Sequence, residues 1–212
     1  MSRFLDILAK TVSVVLYPLF IPTYGVGLFC YAHGIHIAPL NGIWIAVVIT
    51  ATFLLTCLLP ITAIWIMMRK GSVKDFNIDN AEERTIPYIY SAIGFGFWSY
   101  FLVSILHAPI FLSYIAIGAT FAIAVIAIIN SHWKISAHLT GLGGLVGGIF
   151  CYCLGISAIP TWGTFGLWFG ITLLLMWARL RVNAHTPAQV AAGWLMGLSC
   201  TFLPYCIYAY LA

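Results

Sequence analysis

Apolar runs long enough to cross a bilayer follow one another from near the N-terminus almost to the last residue, separated by short polar breaks. A helix of about 20 apolar residues spans the hydrocarbon core. By that measure the pattern predicts spans over Val12–Tyr31, Ile43–Met68, Ile86–Leu106, Pro109–Ile129, Ala137–Ser157, Trp162–Ala178 and Pro187–Tyr210. Pro18 and Pro22 in "LYPLFIPTYG" each remove a helix hydrogen bond, so the first span is expected to kink or to be re-entrant. The expected fold is all-α, a polytopic transmembrane helix bundle of about six to seven spans. It forms a single integral membrane domain over residues 1–212.

Composition sharpens this picture. The chain is 63% hydrophobic and only 7% charged, with a mean hydropathy of +1.05, which excludes an ordinary soluble domain. No nucleic-acid partner is expected; the surroundings are membrane lipids, and the oligomeric state is left open. The N-terminal "MSRFLDILAK" carries an early acid and no small-residue cleavage site follows its apolar run, so it makes a poor signal peptide. All six cysteines fall inside predicted spans without metal-finger spacing and read as small packing residues.

With these spans all nine Lys and Arg residues fall on one side of the membrane. Arg3 and Lys10 precede the first span, and Arg69, Lys70, Lys74 and Arg84 lie between the second and third. Lys134 lies between the fourth and fifth, and Arg179 and Arg181 between the sixth and seventh. The bias places the basic face in the cytoplasm of a multi-pass protein of a bacterial-type inner membrane. Within the spans, "TGLGGLVGG" pairs Gly143 with Gly147 and Gly144 with Gly148, a spacing that lets helix backbones approach closely.

Three polar clusters interrupt the apolar pattern, all on the basic side: "KDFNIDNAEERTIP" (Lys74–Pro87), "SHWKISAHLTG" (Ser131–Gly141) and "RLRVNAHTPAQ" (Arg179–Gln189). Two spans separate each cluster from the next, so the three loops can meet at one interface. In the third, Thr186, Pro187 and Gln189 form the cap, first residue and capping box of a helix start, with His185 just outside it. In the second, Ser136 is the expected cap and His138 lies in the first turn. Helix N-termini offer free N–H groups and a positive dipole end, and arginine matches phosphate oxygens bidentately. Two such ends, each with a histidine, among Arg84, Lys134, Arg179 and Arg181 describe a phosphate pocket. His33 and His36 sit on the other face with no acid or cysteine beside them, and no metal is expected there.

These residues resemble the motifs of the type 2 phosphatidic-acid phosphatase superfamily, which includes the vanadium haloperoxidases. The family's third motif, S-R-x5-H-x3-D, is similar to the run from Ala178 through Arg179 and His185 to Gln189, with Ala for Ser and Gln for Asp. Its second, P-S-G-H, resembles Ile135 to His138. Its first, K-x6-R-P, is matched loosely: with Arg84 as the arginine, the lysine position is Asn77 and the proline position Thr85, while Lys74 and Pro87 lie nearby. The resemblance covers a core of about residues 70–211.

The resemblance implies a metal-independent, cofactor-free lipid phosphate or diphosphate phosphatase. It makes His185 the nucleophile that forms a phosphohistidine and His138 the general acid. Arg84, Arg179, Ser136 and Lys74 would hold the phosphoryl oxygens, with Lys134 and Arg181 adding charge. Gln189 takes the place of the acid that steadies the nucleophilic histidine, and a capping role explains it equally well. Two other classes stand beside this one: a lipid-phosphate-binding member of the same fold without turnover, and a small transporter. Transport asks for ionisable groups at mid-span, and the predicted spans hold none deep within them.

Overall fold

The computed structural model describes residues 2–37, 39–73, 78, 82–155 and 162–211. Among them every regular element is helical. The chain runs as α1 (Ser2–Val15), α2 (Ile21–His36), α3 (Gly42–Phe53), α4 (Leu59–Arg69), α5 (Thr85–Tyr100), α6 (Ile110–Asn130), α7 (Ala137–Gly155), α8 (Trp162–Arg181) and α9 (Pro187–Leu211). A π-helical turn, Leu54–Leu58, joins α3 to α4, a second, Phe101–Ile105, extends α5, and a short 3-10 turn, Glu82–Arg84, leads into α5.

Five helices are long and apolar enough to cross a membrane: Gly42–Arg69, Thr85–Ile105, Ile110–Asn130, Ala137–Leu154 and Pro187–Leu211. The chain is therefore a polytopic all-α membrane protein among its described residues. The first predicted span is broken: Val15 ends α1, and the turn holding Pro18 precedes α2. Helix α1 is too short to cross a bilayer. Its apolar Phe4, Ile7 and Leu8 are exposed, while Asp6 forms an ion pair with Arg181 at the end of α8 (Nε to Oδ1 2.8 Å). That arrangement suits a helix lying in the membrane interface.

The bundle is organised around α7 and α9, whose backbones touch. An added Cβ at Gly193 would lie 2.6 Å from the Ser136 carbonyl oxygen, and one at Gly147 would lie 2.8 Å from the Leu198 oxygen. Gly143 and Gly197 are occluded in the same way by Trp194 and Thr140. With lipid outside, helices gain little from hydrophobicity alone, so close backbone approach and interhelical hydrogen bonds do the fastening. Trp98 Nε1 donates to Thr52 Oγ1 across α5 and α3 (2.8 Å), and Ser99 and Thr120 join α5 to α6 (2.7 Å). The aromatic core of Phe29, Phe95, Trp98, Phe111, Tyr152 and Tyr205 fills the centre. A smaller cluster, Leu139, Leu142, Leu175 and Val190, ties α7, α8 and α9 together next to the polar end.

Candidate functional site

The site is built where α5, α7 and α9 begin and α8 ends. Pro187 opens α9 with its φ already helical, and Thr186 and Gln189 form a reciprocal capping box. The Gln189 amide oxygen accepts from the Thr186 N–H (3.0 Å), and the Gln189 N–H donates to Thr186 Oγ1 (3.4 Å). Gln189 is thus engaged as a helix cap. The Ser136 N–H donates to the Gln189 carbonyl oxygen (3.4 Å), which ties the start of α7 to the start of α9.

His185 sits immediately before this cap, with its ring 9% exposed at the residue level. Its Nδ1 lies 3.2 Å from the Lys134 carbonyl oxygen. A carbonyl only accepts, so Nδ1 carries the proton and Nε2 of the neutral ring keeps its lone pair. Burial, then the charges of Arg179 and Arg84, push the His185 pKa from 6.5 down to about 4, against the opposing pull of the Lys134 carbonyl. The neutral nucleophilic form therefore prevails at neutral pH.

His138, on the first turn of α7, is buried and donates from Nε2 to the Ser13 carbonyl oxygen (3.1 Å). Its other ring nitrogen, Nδ1, is then an acceptor in the neutral ring and a donor only when protonated. Tyr17 packs edge-on against the His138 ring at 5.5 Å between centroids. Arg179, His185 and Arg84 all lie within electrostatic range of the His138 imidazole.

Arg84 and Arg179 are both buried. Arg84 Nε donates to the Ile78 carbonyl oxygen (2.6 Å), and its guanidinium also hydrogen-bonds the Tyr88 hydroxyl. Tyr17 interacts with Tyr88, Arg84, Arg179 and Cys57. The three clusters that are distant in sequence therefore meet in one buried cluster. Two buried guanidiniums beside two imidazoles and two helix N-termini make a strongly positive environment, which a bound anion would neutralise.

Ser136 departs from expectation. Its backbone oxygen accepts from Thr140, but the side chain makes no cap: Oγ is fully buried without a hydrogen-bond partner among the described residues. A buried hydroxyl left unpaired costs about 1–3 kcal/mol, so such groups in folded proteins tend to have a functional use. Arg181 is turned away to Asp6 on α1. Lys134 contributes its carbonyl to His185 and its charge to the local field. Lys74, Asn77, Asp75 and Asp79 lie outside the described residues, as does the Glu82 side chain. On the opposite face His33 packs against the rings of Phe29 and Phe111 (centroids 5.9 and 6.4 Å apart). No cluster of three metal-capable side chains occurs among the described residues.

Sequence reasoning missed Tyr17, Tyr88 and the Ser13 carbonyl. A tyrosine inside an apolar run carries no polar signal, and a backbone carbonyl carries none at all. The break at Pro18 was the available clue, since a chain that turns there can bring its neighbours onto another helix. Comparison with family models, with curated proteins and with solved structures finds no match to this chain.

Proposed function

We propose that the chain is a membrane lipid phosphatase, cleaving a phosphomonoester or diphosphate of a lipid through a phosphohistidine at His185. The observation that carries this reading is the meeting of Arg84, Arg179, His138 and His185 in one buried, positively charged cluster. Around them, the His185 Nδ1 is held by a carbonyl and Nε2 is available for attack.

Nε2 of His185 forms a bond to phosphorus as the bond to the lipid oxygen breaks, and the proton on Nδ1 stays in the bond to Lys134. The leaving oxygen takes a proton from Nδ1 of His138, which gains that proton once the bound phosphate dianion offsets the charges of Arg84 and Arg179. The same nitrogen, now neutral, accepts a proton from water as that water attacks the phosphohistidine, releasing phosphate and restoring both rings. Arg84, Arg179 and the Ser136 hydroxyl hold the phosphoryl oxygens, where charge stabilisation supplies most of the rate. The route asks for no metal. In this reading α8 and the α1–α2 segment complete six or seven spans in a bacterial-type inner membrane, with the basic face toward the cytoplasm.

A second reading, a lipid-phosphate binder without turnover, is favoured by one observation. Gln189 is occupied as a cap and brings no charge to steady the phosphohistidine. The two readings separate on phosphate release from phosphatidate, phosphatidylglycerophosphate and polyprenyl diphosphate, assayed in detergent with chelator present. Release that disappears in His185→Ala supports the phosphatase. Saturable binding without release selects the binder, and neither binding nor release sinks both.

A further inference from the structure

The glycine-rich run of α7 serves two faces. Gly143 and Gly147 meet the α9 backbone. Gly141, Gly144 and Gly148 line a cavity of about 370 Å³ that α7 shares with α2, α5 and α6, although Gly144 also packs against Thr201 of α9. Ala119 and Ala122 of α6 and Gly25 of α2 line it as well, so the room exists because small residues face each other across it. Its wall is almost wholly hydrocarbon.

Two features connect this cavity to the polar pocket. At one end it is bounded by Ala137, Thr140 and Pro18, which flank His138, Ser136 and Tyr17 in sequence. Ser136, fully buried with its hydroxyl unpaired among the described residues, is next in sequence to Ala137 at that end. From there the lining follows α7 to Cys153, a length of about 24 Å at the helical rise, most of the hydrocarbon thickness of a bilayer. Leu28 and Tyr31 on α2 line the cavity and are exposed, which gives a chain a sideways way in from the bilayer.

We infer that this cavity holds one hydrocarbon chain of the lipid whose phosphate occupies the Arg84, Arg179, His138 and His185 pocket. The inference rests on the proposed lipid-phosphate reading and adds to it a substrate class: a phosphate carried at the end of a hydrocarbon chain that enters the bundle. Chain length then becomes a specificity determinant, because each methylene up to the far end at Tyr152 and Cys153 leaves water or lipid for a matched apolar wall.

The test uses straight-chain alkyl phosphates from butyl to docosyl with the full-length protein in detergent. A hexadecyl phosphate with a diazirine at its terminal carbon is photolysed on the wild-type protein, and the labelled residues are mapped. Labelling at the far end of the cavity, on Tyr152, Cys153 or Phe29, and competed by unlabelled hexadecyl phosphate, is the expected result. Labelling confined to Ile49 and Ile171, in the separate groove on the other side of α2, or to lipid-facing residues overturns the inference. Independently, Ala119→Phe fills the middle of the cavity. It should lower the ratio of kcat/KM for hexadecyl over butyl phosphate by roughly tenfold to hundredfold. An unchanged ratio in a folded variant counts against the tail site. Far-end labelling in a protein that releases phosphate from none of these compounds leaves the tail site standing and removes the hydrolytic reading. Phosphate release together with labelling outside the cavity does the opposite.

Discussion

His185, the proposed nucleophile, is oriented by a backbone oxygen. The Lys134 carbonyl fixes the ring and its tautomer, and burial, with the neighbouring guanidiniums, keeps it unprotonated with a pKa of about 4. Because attack needs the neutral ring, activity should persist as the pH falls below 6.5, and the acid limb of kcat/KM should lie near pH 4. Replacing Arg179 by Gln removes a charge that lowers this pKa, so in that variant the limb should move upward while the rate falls. A limb that stays in place separates Arg179 from His185. Gln189 tests the opposite idea. Glutamate also completes a capping box, so Gln189→Glu should leave both folding and the pH profile unaltered. An upward shift of the acid limb would show instead that position 189 acts on the imidazole.

The motif residues were legible because charged and imidazole side chains stand out against a chain that is 63% hydrophobic. Their surroundings were not. Ser136 was expected to cap α7 through its hydroxyl, yet the first-turn hydrogen bond is carried by its carbonyl. Arg181 was placed with the phosphate ligands, and the structure gives it Asp6, a partner 175 residues away that helical periodicity does not connect to it. Tyr17 reaches His138 only because the chain turns at Pro18.

At the scale of the elements, the approach of α7 to α9 sets the distance between the two histidine-bearing helix starts. Gly197 faces the Thr140 backbone and has no space for a side chain, so Gly197→Leu forces the pair apart. Overpacking of this kind costs about 1–3 kcal/mol, and the variant should melt lower in detergent and lose phosphate binding together with fold stability. Gly96 on α5 is the control, since an added Cβ there meets nothing within 4 Å. Gly96→Ala should be neutral or slightly stabilising, as expected for alanine over glycine in a helix. Equal destabilisation by both substitutions would mean that the glycine seam is not what holds these helices. The seam itself was half visible in the sequence: the spacing of Gly143 and Gly147 announced close packing. Gly144 joins the same seam against Thr201 and Gly197, whereas Gly148 meets Ile115 of α6, a contact that no local pattern encodes.

The whole molecule joins a short helix paired to α8, a buried positive cluster where α5, α7 and α9 begin, and an apolar cavity beside α7. Its apolar length pattern made the membrane class readable from composition and periodicity. The break after Val15 shows where that reading has to yield to proline chemistry, because α1 ends before it can cross and lies against α8. Asp6→Asn removes the ion pair to Arg181. Both side chains are partly exposed, so the stability change should be no more than about 1 kcal/mol. Protease access to α1 should rise if the pair helps to dock this helix, and unchanged cleavage would leave its apolar contacts as the anchor. The central claim is that His185 carries the phosphoryl group, and rapid quenching with a lipid phosphate labelled on phosphorus tests it most directly. The account predicts label on the wild-type protein that is acid-labile and alkali-stable, accumulates further when His138 is replaced by Ala, and is lost in His185→Ala together with phosphate release. Continued phosphate release by a folded His185→Ala protein would contradict it.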